Sequence, residues 1–423
     1  MTEQLTDIID AAEENPSLWQ ILTGHRAIFA YVVVLLSALI LLMLLFIIRN
    51  AKDTALRERE KKQKQLKRRF SRLSALDDEE SGDRGEFDND ISLSELCEKF
   101  RDFASSRMGL YYDIDVVRAF VASLSVTKLI IMQGISGTGK TSLAYAFGKF
   151  LEHDASIVPV QPSWKDRTDM LGYYNEFTGN FTETELLYNL YEANGNDKIY
   201  LTVLDEMNIA RVEYYFAEFL SVLELPELAS RKIEVVSDIR ENDPKKFEDG
   251  KLTVPDNMWF VGTANNDDST LSISDKVYDR AMVIELQSRA KPFTAPDTEP
   301  VSVSAPYLFS LYNRAYHEYA MTDDIRIKTE ELDKYLSKHL QITFGNRILR
   351  QTEKFIPVYR ACGGTEAEAV DLILSKKVLR KLEAQNPVYV AAEAEGVITA
   401  IENIFGEGEL PACVSYMRKF VKI

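Results

Sequence analysis

The chain is poor in the residues that staple or metallate a fold. Among 423 residues it has three cysteines, Cys97, Cys362 and Cys413, and four histidines. The cysteines are odd in number and far apart, with no C-x-x-C pair. That excludes a disulfide framework and suits a reducing compartment. The histidines are scattered, none at ligand spacing from another, so a zinc site is not expected. No internal repeat is found. Positive charge is in deficit, with 50 Lys and Arg against 66 Asp and Glu and a formal net charge of −16. The deficit is uneven: the segment through Leu76 carries +4, which leaves −20 for the rest. Such an acidic body is a poor electrostatic footprint for DNA.

Charge is missing altogether from Ala27 to Ile48, a run bounded by Arg26 and Arg49. A helix of this length spans roughly 33 Å at 1.5 Å per residue, enough for a hydrocarbon core of about 30 Å. A buried core helix is rarely apolar on every face. A signal peptide has a basic leader and a small-residue cleavage site, and neither is present. Residues 27–48 are therefore expected to span a membrane. Before Arg26 stand the acids Glu3, Asp7, Asp10, Glu13 and Glu14, whereas Arg49 to Arg72 hold 11 Lys and Arg against 3 Asp and Glu. By the positive-inside rule residues 1–26 are extracytoplasmic and the rest is cytoplasmic, giving a single-pass protein of the cell (inner) membrane. The basic stretch Lys61, Lys62, Lys64, Lys67, Arg68 and Arg69 is open to two readings: contact with anionic headgroups or a solvated helical stalk.

The length is too great for one compact core. Residues 77–90, DDEESGDRGEFDND, are acidic with almost nothing to bury, and read as a flexible linker closing a juxtamembrane region of 49–90. Helical stretches at Leu93–Arg107 and Val116–Leu124 follow. Short apolar runs then come at Leu129–Met132, Ile157–Val160, Ile199–Leu204, Met258–Val261 and Met282–Leu286, separated by helices or loops. Strands alternating with helices predict an α/β domain over 91–290 with a five-stranded parallel sheet between helices. A Pro-rich connector, 291–306, leads into a mostly helical region, 307–423.

Directly after the first strand comes Gly134-Ile-Ser-Gly-Thr-Gly139-Lys140-Thr141, then a helical run from Ser142. This is G-x-x-x-x-G-K-[ST] in its strand–loop–helix setting. Glycines allow backbone N–H groups to turn around phosphate oxygens, and the helix N-terminus adds partial positive charge. Gly134, Ser136, Gly137, Thr138, Gly139, Lys140, Thr141 and Ser142 are the candidate nucleotide-binding residues. Lys140 reaches the β- and γ-phosphates and the Thr141 hydroxyl can ligate Mg²⁺. The run Ile199–Leu204 ends in Asp205-Glu206, placing one acid to hold the Mg²⁺ water shell and the next to activate the attacking water. Phe260-Val-Gly-Thr-Ala-Asn265 ends a strand in an amide able to orient that water. Arg280, just before the last strand, sits at a rim facing a neighbour's nucleotide, or else forms a surface salt bridge with Asp279.

In this order the motifs resemble the AAA+ superfamily, in the branch of the McrB restriction motors, the MoxR-type ATPases and the dynein-related modules. Gln161-Pro-Ser-Trp-Lys-Asp-Arg167, Leu171-Gly-Tyr-Tyr-Asn175 and Leu204-Asp-Glu-Met-Asn-Ile-Ala-Arg211 are most similar to McrB-like proteins. The resemblance runs from about Ser92 to Ala384. It implies that Lys140 and Thr141 bind nucleotide and Mg²⁺, Asp205 is the Mg²⁺-side acid, Glu206 the catalytic base, Asn265 the first sensor and Arg280 a finger acting in trans. Arg347, in Phe344-Gly-Asn-Arg347, stands where the family has a helix-start arginine reaching back to the γ-phosphate. It departs from the usual Ser-Pro-Arg, and Arg350 is the second candidate. Two insertions are implied to face a central pore: Asp169–Phe181 with Tyr173 and Tyr174, and a hairpin over Ile233–Val254 with a charged tip at Asp243–Lys251. The tyrosines are open to a second reading, packing under the insertion.

The resemblance implies a homo-oligomeric ring, expected to be hexameric because Arg280 would complete a neighbour's site, that hydrolyses ATP (or GTP, used in the McrB branch) with Mg²⁺. McrB-like work would be nucleic-acid-directed defence with a separate effector chain, against which the acidic balance stands unless a basic pore lining lies inside an acidic exterior. The alternatives are a MoxR-like protein-remodelling chaperone at the membrane and a nucleotide-dependent scaffold ring.

Overall fold

The computed structural model describes residues 16–66, 68–79, 87–265 and 270–421. Two compact units are found, one holding the N-terminal helix and the other running from Arg68 to the C-terminus apart from residues 240–242. The first unit contains a helix, Pro16–Leu66. Its stretch Val32–Leu56 contains an 18-residue window of mean hydropathy 3.0 and is exposed throughout. By length and composition this helix can cross a membrane, although a signal sequence of similar composition passes the same test. The acids before Arg26 and the side chains of Lys61, Lys62, Lys64 and Lys67 lie outside the described residues.

The second unit is built on five parallel strands in the order β2-β5-β8-β1-β9. They are β1 (Leu129–Gly134), β2 (Ser156–Pro159), β5 (Tyr200–Asp205), β8 (Met258–Asn265) and β9 (Met282–Leu286), with two hairpins, β3 (Gly172–Asn175) with β4 (Asn180–Glu183) and β6 (Lys232–Glu234) with β7 (Lys251–Thr253). The expected α/β class and all five expected strands are present. Strand side chains alternate between faces, and the alternation sorts them into two cores. Ile130 and Met132 join Leu201, Val203, Trp259 and Val261 in one, while Leu129 and Ile131 join Leu204 and Phe260 in the other. The first core is covered by helices Leu93–Met108, Ile114–Val126 and Lys140–Phe150 and by the C-terminal helices. Ser92 and Glu95 form a capping box at the start of Leu93–Met108, and Gly109 ends it at φ 64°, a left-handed position that favours glycine. The C-terminal region contains the helices Ala305–Glu318, Asp323–Leu340, Gly345–Ala361, Glu366–Ile373, Pro387–Phe405 and Pro411–Val421.

The second core holds a departure from the expected boundary at residue 91. Arg68–Asp78 packs onto the α/β body instead of forming part of a stalk and linker. Arg69 is fully buried and donates to Asp243 (2.8 and 2.6 Å) and to Asp238 (2.7 Å). Phe70 stacks on Phe181 at 4.7 Å. The Glu183 carboxylate accepts from the amides of Ser71, Arg72 and Leu73, capping the helix Arg72–Asp78. Asp77 accepts from Tyr191 Oη and from the Lys245 amide. Arg69 is thus no headgroup ligand, and Arg68 pairs with Asp78. The reason is chemical: a buried arginine with two carboxylates and a phenylalanine between two aromatic neighbours outweigh the segment's polar composition.

Both insertions contain hairpins. The segment expected as a charged tip on the second is not free, because Asp243 and Lys245 are taken up by Arg69 and Asp77. On the first, Gly172 is at φ 97°, and a Cβ there would lie 1.8 Å from the Thr182 carbonyl oxygen. Its two tyrosines divide: Tyr174 lies under the Arg69 guanidinium at 5.7 Å, and Tyr173 is exposed, as is Phe177 at the turn. Arg69→Ala removes the cation enclosed with Asp243 and is expected to lower unfolding stability by about 3 kcal/mol. Denaturant unfolding of the full chain measures this, and a change under about 0.5 kcal/mol would mean that the clamp contributes nothing.

Candidate nucleotide site

The loop after β1 is shaped by close backbone approach. Gly134 is paired with Asn265 of β8 on one side and Leu286 of β9 on the other. Its φ is 149°, and a Cβ would lie 2.2 Å from the Leu286 carbonyl oxygen, so only glycine fits. Gly137 and Gly139, at φ 78° and 93°, carry the turn into helix Lys140–Phe150. Arg289 Nε donates to the Gly137 carbonyl at 2.7 Å and Tyr112 Oη to that of Gly139 at 3.3 Å. Neither residue stands out in the sequence, because each lies far from the loop in the chain. Lys140 is buried, and its ammonium donates to the carbonyls of Gly134 (3.0 Å) and Ile135 (2.8 Å). A cation at the positive end of an eleven-residue helix makes an anion site.

The acids after β5 meet this loop. Asp205 Oδ1 accepts from Thr141 Oγ1 at 2.7 Å and from Thr263 Oγ1 at 2.8 Å, and the Glu206 amide donates to Thr263 Oγ1 at 2.9 Å. Thr263 is a member of the site that the sequence alone does not single out. Glu206 is exposed and has φ 53°, a left-handed conformation that costs a non-glycine residue energy and marks functional turns. Met207 explains a glycine on the neighbouring strand: a Cβ on Gly262 would meet Met207 Sδ at 2.0 Å. Asn208 is buried and donates from Nδ2 to the carbonyls of Asn265 (2.9 Å) and Leu271 (3.1 Å). Asn265 stands at the end of its strand, beside Gly134.

The donor set fits Mg²⁺ with a nucleotide. A threonine hydroxyl and a carboxylate oxygen in contact are hard oxygen donors, and Mg²⁺ commonly takes one or two protein oxygens with phosphates and water. Among the described residues there is no cluster of three or more His, Cys, Asp or Glu able to hold a metal alone. A cavity of about 320 Å³ adjoins the loop at Thr138, between Tyr111, Tyr112 and Val116 on one side and Lys376 and Lys377 on the other. Burial pulls the Lys377 ammonium down to about 7, with Asp279 acting in the opposite direction.

Arg280 and Arg347 lie elsewhere. Arg280 Nε is 2.9 Å from Glu224 Oε2, and the Arg347 guanidinium is 2.7 Å from Glu224 Oε1. One carboxylate thus joins the two arginines, and the alternative expected for Arg280, a salt bridge with Asp279, is not the contact formed. Both arginines line a second cavity of about 850 Å³, together with Lys128, Arg231, Arg350 and Lys354, and no residue of 134–142 borders it. The family resemblance implies that Arg347 reaches back to the γ-phosphate; in this structure its guanidinium pairs with Glu224, which also pairs with Arg280. Burial lowers the Lys128 ammonium to about 7, where it lies 3.7 Å from the Trp259 ring centroid. Two residues of the McrB-like motifs have structural contacts: Trp164 packs edge-on against Tyr215 at 5.3 Å, and Arg167 bridges Glu218 (2.8 Å) and Glu234 (3.0 Å).

The sheet order, the glycine loop after β1 and the paired acids after β5 define a parallel α/β fold of P-loop type with a helical C-terminal region. No family model matches the chain, and no curated protein matches it. Among solved structures it is similar to a Cytophaga hutchinsonii protein provisionally described as an ATPase, at 13% identity and TM-score 0.46, covering 82% of this chain and 97% of that one. It is also similar to a full-length MCM homologue from Methanopyrus kandleri, at 13% identity and TM-score 0.37, covering 66% of this chain and 59% of that one. Likenesses this distant carry no conclusion about activity.

Thr263→Val removes the hydroxyl shared by Asp205 and the Glu206 amide. Losing it is expected to cost about 1–3 kcal/mol in the organisation of the two acids, read as a fall of about tenfold in turnover with nucleotide affinity little changed. Steady-state hydrolysis alongside fluorescent-nucleotide binding measures both; unaltered turnover would remove Thr263 from the site.

Proposed function

We propose that the chain is a membrane-anchored AAA+ ATPase whose ring uses nucleotide hydrolysis to remodel or translocate a macromolecule. The observation that carries this reading is the contact of Thr141 and Asp205 beside the glycine loop, with Glu206 next in the chain. Mg²⁺ bound with the nucleotide would neutralise charge on the β- and γ-phosphate oxygens. Lys140 supplies the cation of the loop, Thr141 and Asp205 the oxygens on the metal side, and Glu206 accepts the proton of the attacking water. Asn265 orients that water, and Arg280 acts on the neighbouring subunit's site. ATP is the nucleotide favoured by the superfamily resemblance, with GTP the alternative.

The McrB-like motifs support a nucleic-acid-directed role with a separate effector chain, and the net charge of −20 after Leu76 weighs against it. A MoxR-like protein-remodelling role at the membrane is compatible with that charge. Salt-sensitive nucleic-acid binding supports the first role, and hydrolysis stimulated by a protein partner supports the second. Lys140→Ala is expected to abolish nucleotide binding, and Glu206→Gln to retain binding while stopping turnover. Hydrolysis retained in both variants would remove the enzymatic reading.

Membrane anchoring by residues 27–48, with the N-terminus outside, rests on the apolar helix and the charge bias of its flanks. The three native cysteines are buried, so an introduced cysteine reports cleanly. An impermeant thiol reagent on intact cells is expected to label a cysteine placed at Ser17 and not one at Ser81. The reverse pattern would overturn the orientation.

A further inference from the structure

The short loop that carries Arg280 is gripped from the C-terminal helical region. Lys377 donates to the carbonyls of Tyr278 (2.6 Å), Ala281 (2.6 Å) and Asp279 (3.3 Å). Gln351 Nε2 also donates to the Asp279 carbonyl, at 3.1 Å. Arg380 lies 3.5 Å from the Tyr278 ring centroid and bonds Asp275 at 2.7 Å. Lys377 belongs to a π-helical turn, Leu374–Val378, in which the preceding residue, Lys376, pairs with Glu285 of β9. π turns interrupt α-helices frequently at functional positions.

A buried ammonium is costly unless its donors are satisfied. Here three N–H donors meet three carbonyl oxygens within the four residues Tyr278–Ala281, and the one residue of that stretch whose carbonyl is not among them is Arg280. Lys377 also lines the cavity beside Thr138. One residue therefore borders the cavity that adjoins the glycine loop at Thr138 and holds the backbone on either side of Arg280.

We propose that Lys377 is a positioning residue for Arg280, coupling the arginine presented to a neighbouring subunit to the state of the cavity beside its own P-loop. This rests on the reading of Arg280 as a finger acting in trans. The lysine does not touch the neighbour's nucleotide; it acts through the backbone of Tyr278–Ala281. Misplacement of a catalytic group by about 1 Å costs on the order of 100-fold in rate, so loosening this loop has a kinetic effect well beyond its effect on folding.

The test uses mixed full-length subunits in detergent, with ATP and Mg²⁺. In a mixture of Arg280→Ala with Lys140→Ala chains, only the first has a working P-loop and only the second supplies Arg280. Restored turnover sets the reference. Adding Lys377→Met to the Lys140→Ala chain is expected to lower restored kcat by about tenfold or more with KM unchanged. The same substitution in the Arg280→Ala chain is expected to cost several-fold less, an asymmetry that general destabilisation does not produce. Gln351→Ala in the finger-supplying chain provides a milder variant, expected to give an intermediate loss even if Lys377→Met folds poorly. Equal losses whichever chain is altered, or no loss in the finger-supplying chain with either variant, would overturn the positioning role and leave the ring reading intact. No restoration in the reference mixture would overturn the trans reading and this proposal with it.

Discussion

One oxygen of Asp205 accepts from two threonines, and the candidate site depends on that contact. Thr141 comes from the start of the helix after β1, Thr263 from β8, and Asp205 from the end of β5. The carboxylate therefore ties together three elements at the C-terminal ends of the three central strands. Thr263 passes the constraint to the Glu206 amide, and Asn208 holds the carbonyl of Asn265. A charged acceptor with fixed donors holds its rotamer more firmly than a solvated one, so Thr141, Thr263 and Asp205 are fixed relative to one another before any ligand arrives.

The α/β body presents two chemically distinct cavities. One adjoins Thr138 at the glycine loop, and the other gathers Arg280, Arg347 and Arg350 around Glu224. Glu224 is ion-paired with an arginine from the loop before β9 and with one from the helix Gly345–Ala361. The helical region is thereby attached to both cavities, through Lys376 and Lys377 at the first and Arg347 at the second. Motion of the helical region would move groups in both.

The segment that follows residue 67 is a structural part of the body. Arg69, Phe70 and the start of helix Arg72–Asp78 contact both insertions, through Asp238 and Asp243 on one and Phe181 and Glu183 on the other. Two hairpins that are distant in the chain consequently share a single anchorage.

Much of the fold was legible in the sequence because its signals are local. Apolar runs of four to six residues marked the five strands, and the glycine loop, Asp205-Glu206 and the strand end at Asn265 pointed to a site through chemistry that requires particular residue types at fixed spacing. The long charge-free run likewise declared a helix able to cross a membrane. What only the tertiary structure decided were contacts between residues distant in the chain. Thr263, Arg289 and Tyr112 join the site from separate elements; Arg347 shares Glu224 with Arg280; Arg69 is buried though its neighbours are basic. Composition describes a segment by its average, whereas burial depends on which partners the fold brings to each side chain, and a carboxylate 174 positions away at Asp243 is enough to take Arg69 out of water.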